Sequence, residues 1–288
     1  MANYSLNDIK ALRDATGAGM MDVKKALEEA NGDREKAVEI IRVKGLKGIA
    51  KREGRSASAG LVVAKVIDSA EGQVGVLVEI NSETDFVAKN EKFIDFANTV
   101  LAAAIESGAT NAEELAKVEV DGHSVQALTD GHSVQALTDG MQAVIGEKIV
   151  VRRLARLSGE VVSLYLHRTN PDLPAQVGVL VSTDKAAEEV AHDVAMHIAA
   201  YSPKYLERSQ VPAEDVEKER AIVEETTRAE GKPEKALPKI VEGRMNAFYK
   251  ENCLVDQAYA KDPKTTVGKV VAATGGKING FARFRVGA

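Results

Sequence analysis

Apolar and polar positions change period several times along this chain, and the changes divide it. Residues 1–46 carry apolar side chains at helical spacing in three short stretches: Ile9 and Leu12; Met20, Met21, Val23, Ala26, Leu27 and Ala30; Ala37, Val38, Ile40 and Ile41. Ser5 with Asp8 reads as a reciprocal cap, Thr16-Gly17-Ala18-Gly19 as a tight turn, Asn31-Gly32 as a stop and Asp33 as the next cap. The pattern predicts a compact three-helix bundle, either a docking module or a lid on the rest of the chain. Residues 47–59 are basic and rich in small residues, the composition of a linker whose charges could also meet a phosphate or an acidic partner.

Beyond residue 59 the period shortens to that of strands, and the chain repeats itself. Gln73-Val-Gly-Val-Leu-Val78 recurs as Gln176-Val-Gly-Val-Leu-Val181. Each copy follows another apolar run (61–67, 161–166) and precedes a striped helix. The stripes are Phe93, Phe96, Ala97, Val100, Leu101, Ala104 and Ile105 in the first, and Val190, Val194, His197 and Ile198 in the second. A weaker echo joins Gly146-Glu-Lys-Ile149 to Gly275-Gly-Lys-Ile278, each leading into an Arg-studded strand. The reading is an α+β protein: the helical bundle, then two related subdomains at 60–145 and 146–288, each an antiparallel sheet with helices on one face.

Within the second subdomain, residues 213–250 are charged and helical with an interruption at Gly231-Lys232-Pro233. Val216, Ile222 and Val223 are expected to face Leu237, Ile240, Val241 and Met245 across that turn, in a hairpin that stands off the sheet or folds back onto it. Asp121 to Thr129 is repeated at once as Asp130 to Thr138. Nine residues rotate a helix by about 900°, so both copies cannot bury the same face: either one loops out, or the repeat is a recent duplication without a role of its own.

The segment Asn81-Ser82-Glu83-Thr84-Asp85-Phe86-Val87-Ala88-Lys89-Asn90 sits between the first repeat's strand and its helix. Phe86 lies seven residues before Phe93, which would put both on one buried stripe if the helix were continuous. Asn90 is a good N-cap and would restart the helix, breaking that phase and leaving Phe86 to protrude beside the Asp85 carboxylate. Spacing alone leaves both readings open.

Composition narrows the function classes. The 288 residues are 44% hydrophobic and 28% charged with net charge −5, which gives no general attraction to nucleic acid. Aromatics make up 4% with no Trp, leaving few platforms for stacking bases. A single cysteine, Cys253, excludes an internal disulfide and suits a reducing compartment; with no apolar leader or membrane-length run, a cytoplasmic protein is expected. No phosphate-binding Gly loop is present, His192 and His197 are five apart rather than four, and His123 with His132 lacks completing metal ligands. Cys253 has no local base, so neither a cofactor nor an enzyme is indicated. The competing class is an enzyme assembled from scattered Asp85, His197 and Glu242. A third is a scaffold using the bundle and hairpin alone. His197 falls on an apolar helix face, where a buried, hydrogen-bonded ring or a partner contact are the two readings.

Four ordered motifs then add a resemblance: Thr16-Gly-Ala-Gly-Met20, Thr84-Asp-Phe-Val-Ala-Lys89, Met196-His-Ile-Ala-Ala200 and Gly231-Lys-Pro233 with Ile240-Val-Glu-Gly-Arg-Met245. Together they make nearly the whole chain resemble the bacterial translation elongation factor Ts family, guanine nucleotide exchange factors for elongation factor Tu. The resemblance implies that residues 1–46 form a ubiquitin-associated-type (UBA-like) domain docking on the partner's nucleotide domain, with Gly17, Gly19 and Met20 in that contact. It implies that Thr84, Asp85, Phe86 and Val87 dislodge the partner's magnesium, Phe86 as wedge and Asp85 as competing acceptor. Val177, Gly178 and His197 match further contact positions. The hairpin is a dimerisation arm in some members, so a homodimer stays open. Two departures stand out: many members carry a further helical module after the last strand, whereas this sequence ends at Ala288, and the nonapeptide duplication has no counterpart in the family pattern.

Overall fold

A computed structural model describes residues 3–16, 18–120 and 133–288. It is an α+β protein. Helices α1 (Leu6–Thr16), α2 (Met20–Glu29) and α3 (Arg34–Arg52) form the N-terminal bundle around Ile9, Leu12, Val23, Ala26, Leu27, Ala37 and Ile41. The caps are those the sequence announces. Ser5 N–H donates to Asp8 Oδ2 (2.7 Å) while Asp8 N–H donates to Ser5 Oγ (3.2 Å), and Asp33 Oδ1 accepts from the N–H groups of Glu35 (3.1 Å) and Lys36 (3.2 Å). Gly32 takes φ +86° after α2, where a Cβ would lie 2.3 Å from the Asn3 carbonyl.

The expected linker at 47–59 is corrected: α3 continues through Arg52. What sustains it is tertiary contact. Gly45 lets α3 approach α7 (Val134–Ile145) so closely that a Cβ would lie 2.6 Å from the Ala143 methyl, and the Arg52 guanidinium donates to the Gln142 carbonyl (3.1 Å). Helix α7 itself begins in the second nonapeptide copy, capped by Ser133 with Val134, Leu137 and Thr138 buried; residues 121–132, including His123 and His132, lie outside the described residues.

The two repeats build two three-stranded antiparallel sheets. The first has order β1 (Ala59–Ser69), β2 (Gly72–Ser82), β3 (Val150–Gly159); the second has β4 (Val161–His167), β5 (Val177–Thr183), β8 (Ile278–Arg285). The duplicated hexapeptide thus begins the centre of each sheet, and the echoed Gly-x-Lys-Ile leads into the third strand of each. This corrects the expected boundary at 145/146. Strand β3 pairs with β2 along Gln73–Asn81, and Glu160 alone separates β3 from β4. A local apolar pattern cannot say which of two sheets a returning strand will join.

Each sheet is covered on one face by helices. Against the first lie α4 (Asp85–Ala88), α5 (Glu91–Ser107), α6 (Ala112–Ala116) and α7, around Phe93, Phe96, Val100 and Leu137. Against the second lie α8 (Glu188–Tyr201) and α11 (Val267–Ala273), around Val194, Ile198 and Leu254. The other faces pack on each other through Val62, Leu77, Val162 and Leu180. Here the repeated glycines matter. A Cβ on Gly75 would lie 2.8 Å from Leu180 Cδ2 and Val162 Cγ1; one on Gly178 would lie 2.6 Å from Leu77 Cδ1 and 2.7 Å from Val62 Cγ1. Each hexapeptide's glycine therefore receives the other's leucine.

Between α8 and β8 stand α9 (Ala213–Ala229) and α10 (Leu237–Asn252), followed by the small β6 (Ala258–Tyr259) and β7 (Asp262–Thr266) pair. The hairpin closes on Val223, Leu237, Val241 and Met245, with Val216, Phe248 and Tyr249 partly buried against them. Two residues depart from the expected face: Ile222 is 50% exposed and Ile240 only half-buried. The adjacent Val223 takes the inward position, and one step along a helix turns a side chain by about 100°.

Overpacking a well-filled interface costs about 1–3 kcal/mol. Gly178→Ala is accordingly expected to lower the thermal midpoint by several degrees. In Leu77→Ala/Gly178→Ala the combined loss of stability should be smaller than the sum of the single losses, measured by denaturant unfolding.

Candidate functional site

The turn after β2 holds the most exposed aromatic side chain of the described residues. Thr84, in extended conformation, opens the single helical turn α4, closed by the Lys89 N–H to the Asp85 carbonyl (3.2 Å) and Asn90 N–H to Val87 (2.9 Å). Asn90 then caps α5 with Oδ1 on Lys92 N–H (2.9 Å). The helical phase is broken as the cap predicts: Phe93 is fully buried, whereas Phe86 is 72% exposed. Within one turn, Val87 and Ala88 point into the core and Asp85 and Phe86 point out. Val87, expected as part of the contact, is 8% exposed and anchors the turn in the isolated chain.

Phe86 is left outside at a cost. Burying a Phe side chain is worth about 1.5–3 kcal/mol, and this ring gains only the Lys89 ammonium 4.8 Å from its centroid. The Asp85 carboxylate is exposed and makes no hydrogen bond or ion pair among the described residues. An apolar ring and an uncommitted anion thus stand together on a rigid base.

That base is polar. Thr84 N–H donates to Glu147 Oε2 (3.0 Å) and Thr84 Oγ1–H to Glu147 Oε1 (2.7 Å). Beside it, Glu83 Oε1 accepts from Lys148 N–H (2.6 Å), and Arg55 reaches both Glu83 oxygens (3.2 and 3.3 Å). The Lys148 amide beside it, aided by Arg55, holds the Glu83 carboxyl below the usual carboxylate range, against its partial desolvation. The pairing of Glu83, Glu147 and Lys148 could not be read from the sequence, because their partners lie 63 and 65 positions apart, beyond any local pattern.

The other expected residues fall elsewhere. Gly17 lies outside the described residues. Gly19 caps α2 and is exposed, as is Met20 (49%), with Leu6 (74%) and Met21 (62%) on the same bundle. Val177 and Gly178, matched to contact positions by the resemblance, are interior in the isolated chain: Val177 packs in the core under α8, and Gly178 faces Leu77 between the sheets.

His197 is the buried, hydrogen-bonded ring of the two readings. Ala260 N–H donates to Nδ1 (3.2 Å), which leaves the proton on Nε2, facing Gln257 Oε1 at 2.9 Å. The ring stacks at 4.5 Å beneath Tyr201, which is 53% exposed. Tyr201, four residues on at the end of the same helix, is the surface group here; the i, i+4 relation was its only signal in the sequence.

Among the described residues no group of three or more His, Cys, Asp or Glu is placed to hold a metal ion, and no helix is long and apolar enough to cross a membrane. Cys253 is buried, and that burial pushes its thiol up, away from the reactive thiolate.

The family model described as Elongation factor TS matches residues 83–288. The chain is similar to Elongation factor Ts of Beutenbergia cavernae, 61% identical over 290 residues, and of Renibacterium salmoninarum, 59% identical over 291 residues, with all of both chains covered in each case. Elongation factor Ts of Kineococcus radiotolerans is 52% identical over 288 residues, again with full coverage.

Burial lowers the pKa of His197, against the opposing hydrogen bond to Gln257. A depressed folded pKa means that the unfolded chain binds the proton more readily. Stability from the neutral ring is therefore complete above the unfolded value, about 6.5, and is lost as pH falls through the folded value. Thermal denaturation between about pH 7.5 and pH 5.5 should show a falling midpoint that is flatter in His197→Gln.

Proposed function

The chain belongs to the elongation factor Ts family, and from that premise we propose how its exposed turn serves the exchange reaction. It is a guanine nucleotide exchange factor for elongation factor Tu, acting in translation elongation. The observation that carries the mechanism is the 72% exposure of Phe86 beside an unpaired Asp85 on a braced turn. In our reading the ring enters the GTPase as a wedge, and Asp85 competes for donors around the nucleotide's magnesium. Magnesium demands near-ideal octahedral geometry and keeps several waters, so small displacements of its surroundings cost much nucleotide affinity. Thr84 and Val87 hold the wedge instead of touching the partner through their side chains. Tyr201 takes the surface position over His197.

Exchange needs no bond made or broken by the factor, and we assign it no catalytic site and no cofactor. It needs differential binding: the factor must hold the nucleotide-free GTPase more tightly than the loaded one, and linkage then weakens GDP by the same factor. A ~10⁴-fold effect corresponds to about 5.5 kcal/mol. No single ring supplies that. Leu6, Met20 and Met21 on the N-terminal bundle provide a second apolar contact, which we assign to docking on the GTPase. A cytoplasmic setting, without direct nucleic-acid or membrane contact, completes the assignment.

Self-association is a second property, favoured by one observation: the hairpin displays Ile222 half exposed on α9. If that face joins two copies, sedimentation equilibrium will show a dimer that Ile222→Glu converts to monomer; a monomeric wild type rules it out.

For the wedge, Phe86→Ala is expected to slow GDP release from the loaded GTPase by roughly tenfold to a hundredfold, matching the contact energy of one Phe ring. Circular dichroism should be unchanged, because the ring supports little of its own fold. Wild-type release rates in a folded Phe86→Ala protein would sink the assignment.

A further inference from the structure

We infer that Glu147 is the positioning residue of the exchange turn: its carboxylate fixes the angle at which Phe86 leaves the surface. The inference rests on the reading of Phe86 as a wedge and adds to it the part that aims the ring. A wedge transmits force only if its base does not yield, and α4 is too short to be rigid by itself. Its N-cap residue is Thr84, whose side chain caps no amide of the turn; Glu147 instead accepts from both the Thr84 N–H and the Thr84 hydroxyl, at 3.0 and 2.7 Å. A carboxylate is suited to this because both oxygens only accept, and charge-assisted bonds are roughly twice as strong as neutral ones.

The protein contains its own control. In the second repeat Gly276 occupies the place of Glu147, between Gly275 and Lys277. There the turn after the central strand is fastened to the returning strand without any side chain at that position. Asp184 accepts from both Lys277 N–H (3.0 Å) and Ala187 N–H (3.2 Å). A side chain at 276 would not fit, since its Cβ would lie 2.4 Å from Asp184 Oδ1. In the first repeat the equivalent fastening of Lys148 N–H is made by Glu83. The sheet-to-turn lock thus forms in both halves, and Glu147 is additional to it. It is present in the half that carries the exposed ring.

The brace also reaches the docking module. Lys148, next to Glu147, donates through Nζ to the carbonyls of Glu53 and Arg55 (3.1 Å for the latter), and the Arg55 guanidinium pairs with Glu83. The segment leaving α3 and the base of the turn therefore share one hydrogen-bonded cluster.

The test uses the full chain and GDP-loaded elongation factor Tu, with Glu147→Gln and Thr84→Val made alone and on the Phe86→Ala background. Gln keeps the size of Glu but removes the charge that strengthens both bonds; Val removes only the hydroxyl. GDP release at saturating factor should fall about tenfold in Glu147→Gln and severalfold in Thr84→Val, while the half-saturating concentration, set largely by the bundle, moves less than about twofold. Amide hydrogen exchange at residues 84–89 should quicken. On the Phe86→Ala background neither change should slow release further, because the residues act through that ring. Wild-type release at saturation in folded Glu147→Gln, or losses that add to that of Phe86→Ala, would overturn the inference while leaving the wedge standing. Wild-type release in Phe86→Ala would sink both. Unfolding of both Glu147→Gln and Thr84→Val at the assay temperature would make Glu147 a part of the scaffold and overturn its positioning role.

Discussion

Two leucines, each set into the glycine of the other's hexapeptide, hold the two halves of this protein together. Leu180 lies over Gly75 and Leu77 over Gly178, with Val162 and Val62 beside them. The contact is reciprocal because the sequence is duplicated: the same strand supplies both a knob and a hole. Protein interiors are close-packed, so filling either hole must push a branched side chain out of its minimum or part the sheets. Once the two sheets are set face to face, their other faces are committed to helices. Everything at the surface then follows, including where α4, α8 and the hairpin emerge.

A second buried feature steadies the same joint. Glu79, fully buried, pairs with Arg153 across β2 and β3 and accepts from the Asn81 side chain and the Gly287 amide. Arg153 in turn donates to the Arg285 carbonyl and lies over the Phe284 ring. The charge is tolerated because its acceptor sites are filled, and the cluster ties the C-terminal strand of the second sheet to the middle of the first. Such bracing suits a factor that, in the wedge reading, has to displace groups of its partner. An exchange factor that yielded as easily as its partner would spend its binding free energy on itself.

Rigidity behind the turn and exposure in front of it are complementary. Val87 and Ala88 root the turn in the core, Glu147 and Glu83 hold its start, and Asn90 restarts the chain as α5. Against that background the half-committed energetics of Phe86 make sense. Its free energy of burial is withheld in the isolated chain and becomes available on contact with a partner.

Much of this architecture was legible in the chain itself. The helical stripes of α5 and α8, the caps at Ser5, Asp33 and Asn90, the duplicated central strands and the resemblance carried by Thr84–Lys89 all depend on neighbours within a few residues, where period and propensity act directly. What the linear pattern left open were questions of partnership at long range. Whether Phe86 joined Phe93 inside was undecided until Val87 and Ala88 claimed the core. Strand β3 carried no mark of belonging to the first sheet, and α3 outran its apparent end because α7 lay alongside to support it. Val177 and Gly178 look like ordinary strand residues, and only the approach of Leu77 from another sheet turns Gly178 inward. Glu147 had no local signal, since its meaning comes from Thr84, far away along the chain. Local pattern along the chain was enough to set most of the helices and strands and to name the residue types that could serve the site. The tertiary fold decided which of them face water, because burial is set by the elements that arrive from elsewhere.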